Sequence, residues 1–169
     1  MRCGARLMRT GQFGVVHTSG KYATAIRLFQ SLRVPAHLAK YTHSVIAIDG
    51  ERIIEAWPGG ARIAYADEYD AANIVWSTFD HTARQAAAIR DFARAQLGKQ
   101  YAWEDVPLIA LALATGEHTP TWVDRKLSSD DRWICSELVD AAFQSAGIPL
   151  FAGIQPSAVY PAMLAQLIL

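Results

Sequence analysis

Cys135 opens an apolar run, Ile134-Cys135-Ser136-Glu137-Leu138-Val139-Asp140-Ala141-Ala142-Phe143, in which Ile134, Leu138, Val139, Ala142 and Phe143 recur at three-and-four spacing. That periodicity predicts an amphipathic helix, stopped by Gly147, a residue able to take positive φ. Ser128-Ser129-Asp130-Asp131 just upstream supplies capping acceptors. Cys135 is therefore expected in the first turn, where unpaired backbone N–H groups and the helix dipole favour a thiolate and can face an oxyanion. The same position also suits a free cysteine acting as a small buried hydrophobe. Only a base elsewhere in the chain turns the thiol into a nucleophile.

Five histidines could supply it: His17, His37, His43, His81 and His118. His81 sits at a helix-capping position and His118 in a polar loop, so both are expected to face solvent. His37 follows Pro35 in a loop, and His17 ends a strand and stays a weaker alternative. His43 begins the β-branched, apolar strand Thr42–Ile48, whose hairpin partner carries Glu55. With a three-residue loop centred on Asp49, His43 would face Glu55 directly across the ladder. A two-residue Asp49-Gly50 turn would place the two on opposite faces unless a bulge intervenes. A strand histidine opposite a glutamate is also a common structural pair.

The elements around these residues follow in order. Phe13–Thr18 reads as a strand and Lys21–Leu32 as a helix whose buried stripe is Ala25, Ile26, Leu28, Phe29 and Leu32, ended by Val34-Pro35. The hairpin comes next; Trp57-Pro58-Gly59-Gly60 breaks it, Arg62–Tyr65 is a further strand, and Asn73–Thr78 another. Thr82–Leu97 is a long helix with Thr82 and Gln85 in capping-box spacing, Gly98 past its end, and Ala86, Ile89, Phe92, Ala93 and Leu97 inside. A second helix is expected over Asp105–Ala114 and a short one over Thr121–Leu127 within the polar stretch Thr115–Asp131. A final helix covers Pro156–Leu167, begun by proline in its first turn. The fold class is α+β: one small, mostly antiparallel sheet packed against helices in a single domain over 1–169, its first ten residues flexible.

Composition narrows the classes. The 169 residues are 51% hydrophobic and 19% charged, enough for one core without disulfides or metal. Zero net charge gives nucleic-acid binding no electrostatic support. Cys3 and Cys135 provide neither a disulfide framework nor metal-ligand spacing. No stretch has the length of a membrane span, and no signal peptide is read at the N-terminus, so the expectation is a cytoplasmic protein as synthesised, with non-classical export or release left open.

Two segments carry a family likeness. Gly98-Lys99-Gln100-Tyr101-Ala102-Trp103 and Ile134-Cys135-Ser136-Glu137-Leu138-Val139 resemble the Gly-x-x-Tyr-x-Trp and Cys-Ser-x-Leu-Val motifs of NlpC-type papain-fold cysteine hydrolases. In ordinary members the histidine strand follows the cysteine helix. Here Thr42-His43-Ser44-Val45-Ile46 precedes it, with Glu55 twelve residues after His43 at the family's third catalytic position. That order is similar to the circularly permuted branch, which also holds the lecithin:retinol acyltransferase-like proteins. The resemblance spans about residues 11 to 160 and implies a papain-like fold with Cys135 as nucleophile, His43 as base and later acid, and Glu55 as orienting group. It implies Tyr101 as an oxyanion donor beside the Cys135 N–H, with Ser136 and Trp57 on the oxyanion and substrate side. Tyr101 stands further from Cys135 in sequence than in unpermuted enzymes. Trp103 and Trp133 could join Trp57 along a groove.

The implied chemistry is cleavage of an amide bond in a peptide or acyl-amide substrate, such as a cell-wall stem peptide or an isopeptide, through an acyl-enzyme. It needs no metal and no organic cofactor. The alternatives are an acyltransferase or thioesterase acting on lipid-like acyl groups, and a catalytically silent binding module on the same fold. The sequence does not fix the oligomeric state.

Overall fold

The computed structural model describes residues 8–101 and 132–169, with the backbone alone for Gln100, Tyr101, Arg132 and Trp133. Cys3, Trp103, His118, the expected helices over 105–114 and 121–127 and the capping run 128–131 lie outside the described residues.

In chain order the elements are β1 (Phe13–Val16), α1 (Lys21–Ser31), α2 (Ala36–Ala39), β2 (His43–Ala47), β3 (Arg52–Trp57), β4 (Gly60–Tyr65), β5 (Ile74–Trp76), α3 (Ala83–Ala95), β6 (Gln100–Tyr101), β7 (Arg132–Trp133), α4 (Cys135–Ser145) and α5 (Pro161–Gln166). Five strands form one sheet in the order β4-β3-β2-β1-β5, and every pairing in it is antiparallel. β6 and β7 make a separate short parallel pair. The molecule is thus a mixed α+β structure, an antiparallel sheet with helices against it.

Strand alternation sorts the side chains onto two faces. Phe13, Val15, Ile46, Ile48, Ile54 and Ala56 form one buried cluster with Ile89 and Ala93 of α3, Leu138, Val139, Ala142 and Phe143 of α4, and Leu164 of α5. Phe143 meets Phe13 edge-on, ring centroids 5.5 Å apart. Val16, Val45, Ala47, Ile53 and Ala64 make a second cluster on the opposite face, with Tyr69, Ile74 and Trp76 packed against it. Both faces of β2 are therefore closed, and all five of its residues are buried. A strand covered on both faces has no reason to alternate apolar with polar.

Several sequence expectations shift. The β2–β3 loop is three residues, Asp49-Gly50-Glu51, centred on Gly50 rather than on Asp49. Ile48 N–H donates to the Arg52 carbonyl, and Ile46 stands opposite Ile54. Asp49 builds this loop, its Oδ1 accepting the Glu51 and Arg52 N–H groups. In α1 the buried residues are Ala23, Phe29 and Gln30, while Leu28 and Leu32 face outward. Apolarity does not choose Gln30; backbone satisfaction does. Its amide donates to the Ala39 and Tyr41 carbonyls and accepts the Ala162 N–H.

The α3 start is as expected, with Thr82 and Gln85 exchanging capping bonds, but Leu97 past its C-terminus is exposed and Gln96 is buried. The expected last helix is split: a 3-10 turn at Pro156–Ala158, then α5. Pro161 forces Tyr160 into the extended region, which ends any continuous helix there.

Candidate active site

β2, β3, β4, the segment after β4 and the N-terminus of α4 bring together five chemically active side chains. With Ile46 opposite Ile54, position 43 falls across from Trp57, and Glu55 is its diagonal neighbour on the same face. The direct opposition expected from a loop centred on Asp49 does not occur; Gly50 at the centre moves the register by two, which preserves the face. His43 Nε2 lies 2.7 Å from Glu55 Oε2, and both side chains are buried.

Glu55 accepts further bonds. Arg62, directly across the β3–β4 ladder, reaches Oε1 with Nε at 2.9 Å and a terminal nitrogen at 2.7 Å. The Tyr69 hydroxyl donates to Oε2 at 2.5 Å. Arg62 also pairs with Glu68 at 3.1 Å and lies over the Trp57 ring at 5.1 Å from its centroid. Trp57 in turn meets the His43 ring edge-on at 5.4 Å. The imidazole is held by a carboxylate at one nitrogen and an indole beside it.

Cys135 is the first residue of α4, following Trp133 of β7 and the extended Ile134. Glu137 closes this start, its carboxylate accepting the Ile134 N–H at 3.3 Å. Cys135 and His43 sit close enough for each to shift the other's pKa. Because Nε2 is taken by Glu55, Nδ1 is the ring nitrogen left to serve the sulfur. Burial alone would lower the His43 pKa, but the Cys135 thiolate and the Glu55 carboxylate outweigh it and raise it from 6.5 to about 9. Burial pushes the Cys135 thiol up; the His43 charge, and after it Ser44, more than reverse this and hold it below its ordinary value. The stable form of the pair is thiolate and imidazolium. Burial works against ionised Glu55 too, yet His43, Tyr69 and Arg62 keep its pKa below the ordinary range.

Ser44 approaches the sulfur from β2. The β2–β3 ladder extends only over Ile46↔Ile54 and Ala47↔Ile53. Beyond that point the Ser44 N–H is free to favour the thiolate. Its buried hydroxyl makes no hydrogen bond of ordinary geometry, and a weak approach to the sulfur is its polar contact.

The remaining expected site residues are placed differently. The Ser136 hydroxyl is fully buried and donates to the Val159 carbonyl at 2.6 Å, so it ties α4 to the segment before α5. Tyr101 is in β6, and its side chain lies outside the described residues. His17 bonds to Arg27 at 3.1 Å. His81 is partly buried rather than solvent-facing, its Nε2 3.0 Å from the Thr10 carbonyl. Among the described residues, no group of three or more His, Cys, Asp or Glu could hold a metal ion.

Sequence reasoning missed Arg62, Tyr69 and Ser44. Arg62 was within reach: once Pro58-Gly59 is taken as a tight turn, Glu55 and Arg62 become opposed opposite charges. Tyr69 follows an irregular turn and carries no periodic signal.

The chain matches no protein-family model and none of the curated proteins compared with it.

Proposed function

We propose that this protein is a cysteine hydrolase that cleaves an amide bond in a peptide or acyl-amide substrate through an acyl-enzyme, on a papain-like fold of the permuted NlpC-type kind. The observation that carries the reading is what meets at His43: a buried carboxylate on Nε2, and a thiol at the first position of a helix close enough to raise the ring's pKa. The Cys135 thiolate attacks the acyl carbon. The oxygen that becomes negative meets N–H groups of the first turn of α4, which have no carbonyl partner within the helix. His43 gives its proton to the departing amine, and the thioester remains on Cys135. His43, now neutral, takes a proton from water as water attacks that thioester, and acid and thiolate leave. Glu55 keeps the ring oriented and stabilises its charged form.

Alkylation of Cys135 by iodoacetamide at pH 6 tests the pair. Wild-type protein should label fast, and His43→Ala should cut the rate at least about tenfold, because a free thiol of pKa about 8.5 is almost wholly protonated there. Equal labelling of both would reduce Cys135 to a packing residue. Turnover of muropeptides with no turnover of acyl esters supports the amidase; the reverse pattern supports an acyl-ester enzyme.

A further inference from the structure

Zero net charge conceals a polar molecule. Residues 1–48 contain seven Arg and Lys and no Asp or Glu, so all 16 acidic residues follow from Asp49 onward. Within that cationic third, α1 turns leucines outward: Leu28 is 68% and Leu32 69% exposed. Four residues apart, they lie on one line along the helix, with Lys21 and Ala25 exposed on the same side. Arg33, His37 and Lys40 extend the exposed surface beyond the helix end. Lys21, Arg33 and Lys40 lie over the rings of Tyr22, Phe29 and Tyr41 at 4.9, 5.3 and 5.1 Å. Among the described residues none of the three forms an ion pair with a carboxylate.

We propose that α1, with the segment through Lys40, is a docking surface for an anionic lipid bilayer. A surface helix with a line of exposed leucines and flanking cations has the chemistry of an interfacial helix: the apolar line sinks to the acyl boundary while the cations stay among the headgroup phosphates. Tyr22, about a third of it exposed, fits the same interface, where amphipathic rings collect. A nucleic acid would use the cations and leave Leu28 and Leu32 idle. A second copy docked face to face would set cation against cation. The surface leads directly into β2, since Lys40 precedes His43 by three residues, so docking would bring the bilayer to the end of the sheet where the imidazole sits. This inference stands independently of the proposed hydrolase activity.

Flotation of the full chain with vesicles of phosphatidylcholine containing phosphatidylserine, against phosphatidylcholine alone, tests it. Binding should require the anionic lipid and weaken as salt is raised. Lys21→Gln and Lys40→Gln should each lower the partition coefficient about fivefold, from about 1 kcal/mol per cation at the surface. Leu28→Ser/Leu32→Ser should lower it further with an unchanged melting temperature. Three results would overturn the proposal: no preference for anionic vesicles; a double serine variant that melts well below wild type, which would mean the chain itself covers these leucines; or a wild-type dimer that the same variant dissolves. Binding to a soluble polyanion such as heparin as tightly as to vesicles, unaffected by the serine substitutions, would also overturn it.

Discussion

Glu55 is a fully buried carboxylate that meets four donor atoms: His43 Nε2, the Tyr69 hydroxyl and two nitrogens of Arg62. Charges then alternate from surface to sulfur: Glu68, Arg62, Glu55, His43, Cys135. Arg62 matters as a planar fork, not only as a charge. Arg62→Lys should therefore retain the ionised Glu55 but loosen its orientation, and Arg62→Ala should weaken both, losing about 1–3 kcal/mol of native stability as a charged acceptor goes short of donors. Chemical denaturation with pH 6 alkylation in parallel distinguishes the two. The His43 pKa of about 9 sets a second expectation. Imidazolium is the proton donor to the leaving group, so turnover should hold up to about pH 9 and fall above it. Alkylation, which needs the thiolate alone, should not fall. A turnover rate that already drops near pH 7 would contradict a raised His43.

At the scale of elements, α4 begins with a strained choice. Glu137 caps its first turn, but burial pushes that carboxyl up to about 7. A carboxyl raised on folding is the reverse of the usual acid case. The native state holds the proton more tightly than the unfolded chain, so the penalty is full above about pH 7 and fades as pH falls toward the unfolded value near 4.3. Glu137→Gln keeps an acceptor for the Ile134 N–H and should raise the melting temperature at pH 8 while changing little at pH 4. Its ceiling is about 4 kcal/mol, at 1.36 kcal/mol per pH unit. Gly60 is the matching constraint on β4. It has φ +121, and an added Cβ would come within 2.8 Å of the Lys99 carbonyl. Gly60→Ala should cost about 1–3 kcal/mol and disturb the bonds by which Ala61 holds Gly98 and Lys99. Hydrogen exchange at the amides of Ala61 and Gly98 reads this.

For the molecule as a whole, the sheet-forming hairpin, α3 with its cap and the cysteine helix were legible because each has a local period or a cap chemistry. The face shared by His43 and Glu55 was legible only as a conditional, since an odd loop length keeps the two on one face and an even one parts them. What was not legible depended on contacts between distant segments. Leu28 and Leu32 look like core until Gln30 claims the inward position by bonding to Ala39, Tyr41 and Ala162. Tyr69 reaches Glu55 from an irregular turn, and Ser136, read from its neighbour's motif, spends its hydroxyl on Val159. The thiol and the imidazole come from opposite ends of the chain, and each helps the other to hold its charge. Low-pH labelling is therefore a property of the completed fold and a built-in gauge of it. Across a urea titration the fraction of fast-labelling Cys135 should track the far-UV circular dichroism through one shared midpoint. Separate midpoints would mean that the end of the sheet bearing His43 lets go before the rest.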